Sequence, residues 1–318
     1  MNPLQVGAPQ LAEAGTTAHF QILQQWLLEC DRNHPNCGSS NASRAPLPTR
    51  LIDVGAKDSS AVKLYETQRG DNFQYLALSH PWGPDSTTHF CTFRDNLARH
   101  IEGIEIRELP ATFQDAVRAT RSLNCRYLWI DSICIIQGPD GDFHQEAKRM
   151  EDVYSEAYCV LAATSAHGQH DGFLKHREER KYITIRKDPL PPIHICEFMD
   201  NFQQHVLDSH LNKRGWVLQE RVLARRTIYF TDKQTYWECG SGVRCETMSK
   251  MQKYVNNLLH SLWTPKTTQG QVGQTNLTKI KANLHHFLAI PSFQRLRCNH
   301  LTEEGFGFIR IYMRSTPA

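Results

Sequence analysis

Two short stretches of this sequence hold side chains able to do chemistry. In residues 126–137 an apolar run, Tyr127-Leu128-Trp129-Ile130, stops abruptly at Asp131 and Ser132. An uninterrupted apolar run is what a strand covered on both faces needs. Asp131 and Ser132 are therefore expected at its carboxyl end, the edge of an open α/β sheet where ligands bind. The structural alternative is that Asp131 caps the next turn and Ser132 satisfies a backbone group. In the second stretch Cys30, His34 and Cys37 place two sulfurs and an imidazole within eight residues. That spacing suits one zinc ion, with Cys239 and Cys245 as sources of a further ligand. Three ligands are one short of a structural zinc site, so a metal-free loop is the competing expectation.

The elements that must position these residues follow from periodicity. Ile22, Leu23, Trp26 and Leu27 form a helical stripe ending at the Cys/His loop. Gly38 to Arg50 is rich in Ser, Asn, Ala and Pro and reads as a linker separating that helix from the main domain. Residues 62–66 and 73–79 flank the turn formers Arg69-Gly70-Asp71-Asn72, the pattern of a hairpin. The second of these strands ends in Ser79-His80-Pro81-Trp82-Gly83. Pro110 opens a helix whose Phe113, Ala116, Val117, Thr120 and Leu123 share a face. A second helix over about 142–157 leads into the apolar run at 158–163. Helix, strand, helix, strand implies right-handed crossovers and a parallel sheet. Residues 181–199 read as a small β insertion, 214–223 as a short helix, and 227–230 and 235–239 as strands. Beyond about residue 250 the signal fades, and Thr264 to Asn276 reads as loop.

Composition narrows the function. The 318 residues carry a net charge of +3, with Lys and Arg dispersed instead of forming a stripe with aromatics, so nucleic acid is not the expected partner. No run approaches the roughly 20 apolar residues of a membrane span, and no basic and apolar leader opens the chain. Ten cysteines, mostly inside apolar segments, fit free thiols in a reducing compartment. The expected location is the cytoplasm.

Five blocks together resemble the HET domain of filamentous-fungal heterokaryon incompatibility proteins. They are residues 75–83 (YLALSHPWG), 109–116 (LPATFQDA), 127–137 (YLWIDSICIIQ), 150–157 (MEDVYSEA) and 214–221 (RGWVLQER). They stand in the family's order and cover roughly residues 62 to 240. The segment from Trp26 through Cys30 and His34 to Cys37 looks like a frequent companion of that domain. The resemblance implies a part in non-self recognition and programmed cell death, with protein partners in incompatibility signalling and a homo-oligomer as one further partner class. His80-Pro81 departs from the family's usual loop, and the residues after Trp263 do not look like the family's continuation, so a truncated or degenerate C-terminus is expected.

Within that likeness, Trp216-x-x-x-Glu220 is similar to the Trp-Cys-x-x-Glu segment of TIR domains, to which the HET domain looks distantly related. The likeness implies a flavodoxin- or TIR-like fold, with NAD+ as substrate and no permanently bound cofactor. Glu220 would then stabilise the oxocarbenium-like ribose formed when the nicotinamide bond breaks. Trp216 and the loop of the Tyr75 strand would make a dry wall, Trp82 would stack on a flat ring, and Arg214 or Arg221 would meet the pyrophosphate. Ser79, Asp131 and Ser132 complete the expected binding edge. Against this, Glu220 lies close in sequence to Arg221, Arg225 and Arg226 and could simply join a surface charge network, and both tryptophans could be core.

The sequence therefore predicts an α/β protein with a mainly parallel, flavodoxin/TIR-like sheet. Residues 1–50 are expected to hold the N-terminal helix, Cys/His loop and linker, 60–245 the HET domain, and 246–318 a weakly specified segment. A non-catalytic interaction module and an inactive relic are the competing functions.

Overall fold

Four largely buried strands lie side by side in the sheet and set the frame for everything else. In the computed structural model, which describes residues 11–35, 37, 46–84, 89–187, 189–196, 198–213, 215–247 and 250–251, these strands are β3 (Tyr75–Ser79), β5 (Tyr127–Trp129), β6 (Cys159–Ala162) and β9 (Arg226–Phe230). Every residue of β3, β6 and β9 is buried, as strands with both faces covered must be. They pair in parallel in the order β5-β3-β6-β9, which is 2-1-3-4 by appearance in the chain. The order reverses between β3 and β6, so a crevice is expected beyond their carboxyl ends.

The sheet extends past this core with antiparallel strands on both sides. Beyond β5 stand β1 (Arg50–Asp53), β2 (Ala61–Glu66) and β4 (Ile104–Glu105); beyond β9 stand β10 (Thr235–Cys239), β11 (Gly242–Cys245) and β12 (Lys250–Met251). The ten-stranded sheet is thus mixed, with a parallel interior and antiparallel wings. On β2, Val62 and Leu64 point inward and Lys63 and Tyr65 outward, the alternation of a strand with one wet face. A separate two-stranded sheet, β7 (Tyr182–Lys187) with β8 (Leu190–Cys196), is the small β insertion read from the sequence.

Four sequence expectations need correction. Strands β2 and β3 are not a hairpin: β2 pairs with β1 and β4, and β3 with β5 and β6. The turn formers at 69–72 are real, but the largely apolar β3 gains more between two parallel neighbours than on a half-wet hairpin. The helix over 142–157 is broken into α5 (Phe143–Glu146), a 3₁₀ turn and α6 (Met150–Glu156). Its early part is tethered sideways, with Asp142 on Arg50 and Ile136 N, and Arg149 on Thr49 and the Leu47 carbonyl. Arg50 is not linker but the first residue of β1. The N-terminal helix is not set apart from the main body either.

That helix, α1 (Thr17–Asn33), is capped by the Thr16 hydroxyl on His19 N and buries Phe20, Leu23, Trp26, Leu27 and Cys30 in the same core as the sheet. Trp26 meets Trp237 of β10 with ring centroids 6.5 Å apart, and Asp31 pairs with Arg226 of β9 at 2.6 Å. Helix α2 spans Leu97–Glu102. Helix α3 (Ala111–Ser122) follows Pro110 directly and buries Phe113, Ala116, Val117 and Thr120, the face the periodicity predicts. Helices α4 (Asp131–Cys134) and α7 (Gly215–Leu223) complete the set used below. Residues 252–318, with the Thr264–Asn276 stretch, lie outside the described residues. Among the described residues no helix is long and apolar enough to cross a membrane, and the cysteines are free thiols.

A buried polar network fastens α1 to the far wing. His19 Nδ1 accepts from Gly15 N at 3.0 Å, so Nε2 carries the proton and donates to Thr235 Oγ1 at 2.8 Å. Burial, then the Arg177 charge, push the His19 pKa down to about 3. The imidazole is therefore neutral in the fold, whereas the unfolded chain protonates it below about pH 6.5. Stability from His19 is fully present above pH 6.5 and is lost as pH falls toward 3. About 2 kcal/mol should disappear between pH 6.5 and 5. Neighbouring Glu246 has a pKa raised by burial and partly restored by Arg177, so it titrates with the opposite sign. Urea unfolding at the two pH values should accordingly show a smaller acid loss in His19→Gln than in the parent.

Candidate functional site

The carboxyl ends of β3 and β5 bring together four of the residues singled out from the sequence. Asp131 begins α4 just beyond β5, and its Oδ1 accepts from Ser132 N at 2.7 Å. Its Oδ2 accepts from the indole Nε1 of Trp82 at 2.7 Å, across from the loop after β3. His80, two residues before Trp82 and buried, presents Nδ1 3.8 Å from Asp131 Oδ1. The aspartate is thus a bracket between two strand-end loops; it does not cap α4, whose N-cap is Ile130 without a side-chain cap bond, and the Ser132 hydroxyl meets no backbone group among the described residues. Trp82 is half-buried and meets His89 edge-on, with centroids 5.3 Å apart.

Ser79 and Ser132 face this region as buried hydroxyls, and neither Oγ has a hydrogen-bond partner among the described residues. Leaving such a group unpaired costs about 1–3 kcal/mol, which favours a water or a ligand atom there. Sequence reasoning missed the loop after β6, which packs against the loop after β3 and the start of α3. Gly168 packs against Gly83, where a Cβ on Gly168 would lie 3.2 Å from the Gly83 Cα. Gln169 takes Phe90 N on its Oε1 at 2.7 Å, and its carbonyl accepts from Thr112 N. Gly172 has φ +69°, and a Cβ there would fall 2.9 Å from the Asp115 carboxylate that holds Phe173 N and Leu174 N. No sequence period marks this loop; only its two glycines hint at close backbone approach.

The remaining candidates sit elsewhere. Glu220 lies in α7, on the crossover that descends to the amino end of β9, about 7 Å along the helix from Gly215. Arg221 is engaged by Glu238 of β10, with Nε and an Nη donating to the two carboxylate oxygens at 3.0 Å each, and Nε reaches the Tyr229 hydroxyl at 3.1 Å. Burial opposes its charge, but Tyr229 and Glu238 hold its pKa above the ordinary value. Tyr75 itself opens β3 at the opposite edge, and its hydroxyl donates to the Val153 carbonyl at 2.6 Å. Arg214 and the Trp216 side chain lie outside the described residues. A concavity of about 60 Å³ lies at the opposite, amino edge, between Tyr75, Tyr158, Arg225 and Arg226, with room for a few waters and not a nucleotide.

A second cluster forms where α1 ends. Cys30, His34 and Cys37 are joined by Cys239, the last residue of β10, with all four ligand atoms within 4.8 Å of one another. Hydrogen bonds from Cys30 and Cys37 hold the Cys239 thiol far below its usual range, and the same contact pushes Cys30 up. Cys245, the other cysteine considered, instead meets Thr247 Oγ1 at 3.1 Å in a separate apolar cluster.

These features define a mixed α/β domain with a parallel core and a polar, aromatic cluster at the carboxyl edge of that core. Residues 75–220 match the family model described as Heterokaryon incompatibility protein (HET). The match begins at the first residue of β3 and ends at Glu220. The chain is also similar to heterokaryon incompatibility protein 6, OR allele, of Neurospora crassa. The two are 31% identical over 193 aligned positions, covering 49% of this chain and 28% of that protein. The chain therefore spans well under half the length of this relative. No solved structure matches it.

Proposed function

We propose that the chain acts in fungal heterokaryon incompatibility and cell death through its HET domain, and that the domain hydrolyses NAD+ with Glu220 as its catalytic carboxylate. The observation that carries a nucleotide site is the 2-1-3-4 order of the parallel core, with Trp82, Asp131, Ser79 and Ser132 gathered beside its switch point; the role of Glu220 rests on the Trp216-x-x-x-Glu220 spacing. That order is the one used by flavodoxin-like sheets, whose ligands lie at such a point, and it supports the TIR-like reading. In the reaction the bond from ribose C1′ to the nicotinamide nitrogen breaks, and its electron pair leaves with nicotinamide. The carboxylate stabilises the cationic ribose, and water adds to C1′ and loses a proton, giving ADP-ribose. Trp82 supplies a flat ring against which a base or nicotinamide stacks. The Ser79 and Ser132 hydroxyls offer hydrogen bonds to ribose oxygens. With Arg221 held by Glu238, the pyrophosphate role falls to Arg214.

A second reading, a non-catalytic module that recruits protein partners or further copies of itself, is favoured by the β7–β8 hairpin, where Ile183 is 70% and Ile193 62% exposed. Expression of the full chain in a fungal host separates the two. The enzymatic reading expects growth arrest from the parent and none from an equally abundant Glu220→Ala protein. Arrest by both proteins would overturn it in favour of recruitment.

A further inference from the structure

We infer that Cys30, His34, Cys37 and Cys239 bind one Zn²⁺, which clamps the end of α1 to the end of β10. Cys30 and His34 are four residues apart at the end of α1, so they project from one face, and two tight hydrogen bonds (His34 N to the Cys30 carbonyl at 3.0 Å, Cys37 N to the His34 carbonyl at 2.9 Å) fold Cys37 back beside them. The fourth sulfur arrives from 205 residues away in sequence and stands 3.5 Å from His34 Nδ1. Tetrahedral zinc with ordinary Zn–S and Zn–N lengths separates a sulfur and a nitrogen ligand by about 3.6 Å. The quartet is thus spaced for coordination without a metal to hold it.

The donor set and its surroundings specify the ion. Three thiolates and an imidazole select zinc over the harder divalent cations. All three cysteines are buried, and four protein ligands fill a tetrahedron, which makes this a structural site with no place for a reactive water. Three thiolates around Zn²⁺ carry a net charge of −1, and the buried Arg226 lies close enough to act electrostatically on Cys30. Arg226 is oriented by Asp31 at 2.6 Å and by the Tyr158 ring 4.9 Å beneath it, while its Nε and one Nη have no hydrogen-bond partner among the described residues. A cation in this position balances an anionic zinc–thiolate centre. Loading binds one Zn²⁺ to the three sulfurs as thiolates, each sulfur still protonated releasing its proton, with no change in oxidation state.

The test is metal analysis of the full chain purified without added zinc, beside Cys239→Ser and Cys245→Ser. One zinc per chain is expected in the parent and in Cys245→Ser, with a fall of roughly tenfold or more in Cys239→Ser. Cobalt added to the metal-stripped parent should give the visible absorption and thiolate charge-transfer bands of a tetrahedral sulfur-rich site, a readout that does not depend on the folding of any variant. A parent that holds no zinc and gives no such bands overturns the site. Full zinc in Cys239→Ser, or its loss from a folded Cys245→Ser, overturns the assignment of the fourth ligand.

Discussion

Replacing Arg177 by Met is expected to lower folding stability by about 3–5 kcal/mol, because it strands a buried carboxylate. Arg177 reaches Glu246 Oε2 at 2.6 Å and Thr235 Oγ1 at 2.7 Å, and both side chains of the ion pair are buried. Glu246 also accepts from Thr235 N, so one acid ties β10, the segment after β11 and residue 177 together. Without the guanidinium, that carboxylate keeps its hydrogen bond from Thr235 N and the neutral His19 imidazole 3.6 Å away, but no cation. Thermal unfolding should shift down by roughly 6–20 °C for a domain of this size. The direction with pH is also fixed. Removing Arg177 removes an influence that lowers both pKa values. The variant should therefore lose less, relative to the parent, as pH drops and either Glu246 or His19 takes a proton. The double variant Arg177→Met, Glu246→Gln should recover most of the loss, since no unpaired charge remains buried. A single variant as stable as the parent at pH 7.5 would show that the pair contributes little to the fold.

The strands of the parallel core were legible because burial on both faces demands unbroken apolar runs, and residues 75–79, 127–130 and 159–162 display them. Helix α3 was legible for the converse reason, a 3.6-residue repeat facing one side. Partnering was not. Four-residue β1 and two-residue β4 carry too short a pattern to announce themselves, and without them β2 has no visible mate except β3. The site divided in the same way. Asp131 stood out at the end of an apolar run, but its hydrogen bond to Trp82 joins residues 49 apart and depends on how two strands align. The Cys30, His34 and Cys37 triplet was local and visible, whereas the choice of Cys239 over Cys245 rests on strand register: Cys239 ends β10, and Cys245 pairs across from Tyr236 at its start.

Loss of the Glu220 carboxylate is expected to reduce nicotinamide release from NAD+ by about 10²–10³-fold, the usual effect of removing a group that stabilises developing charge. The fold should tolerate the change. Glu220 is half-buried on α7, and Ala is the strongest helix former, so Glu220→Ala costs little in helix propensity. Stability is thereby separated from chemistry, which the Arg177 variants deliberately do not do. Nicotinamide release by the full chain at high protein concentration, measured beside Glu220→Ala with the circular dichroism of both recorded, tests the central claim most directly. The account predicts release by the parent and its near-absence in an equally folded variant. Equal release by both proteins, or none from a folded parent, would contradict it.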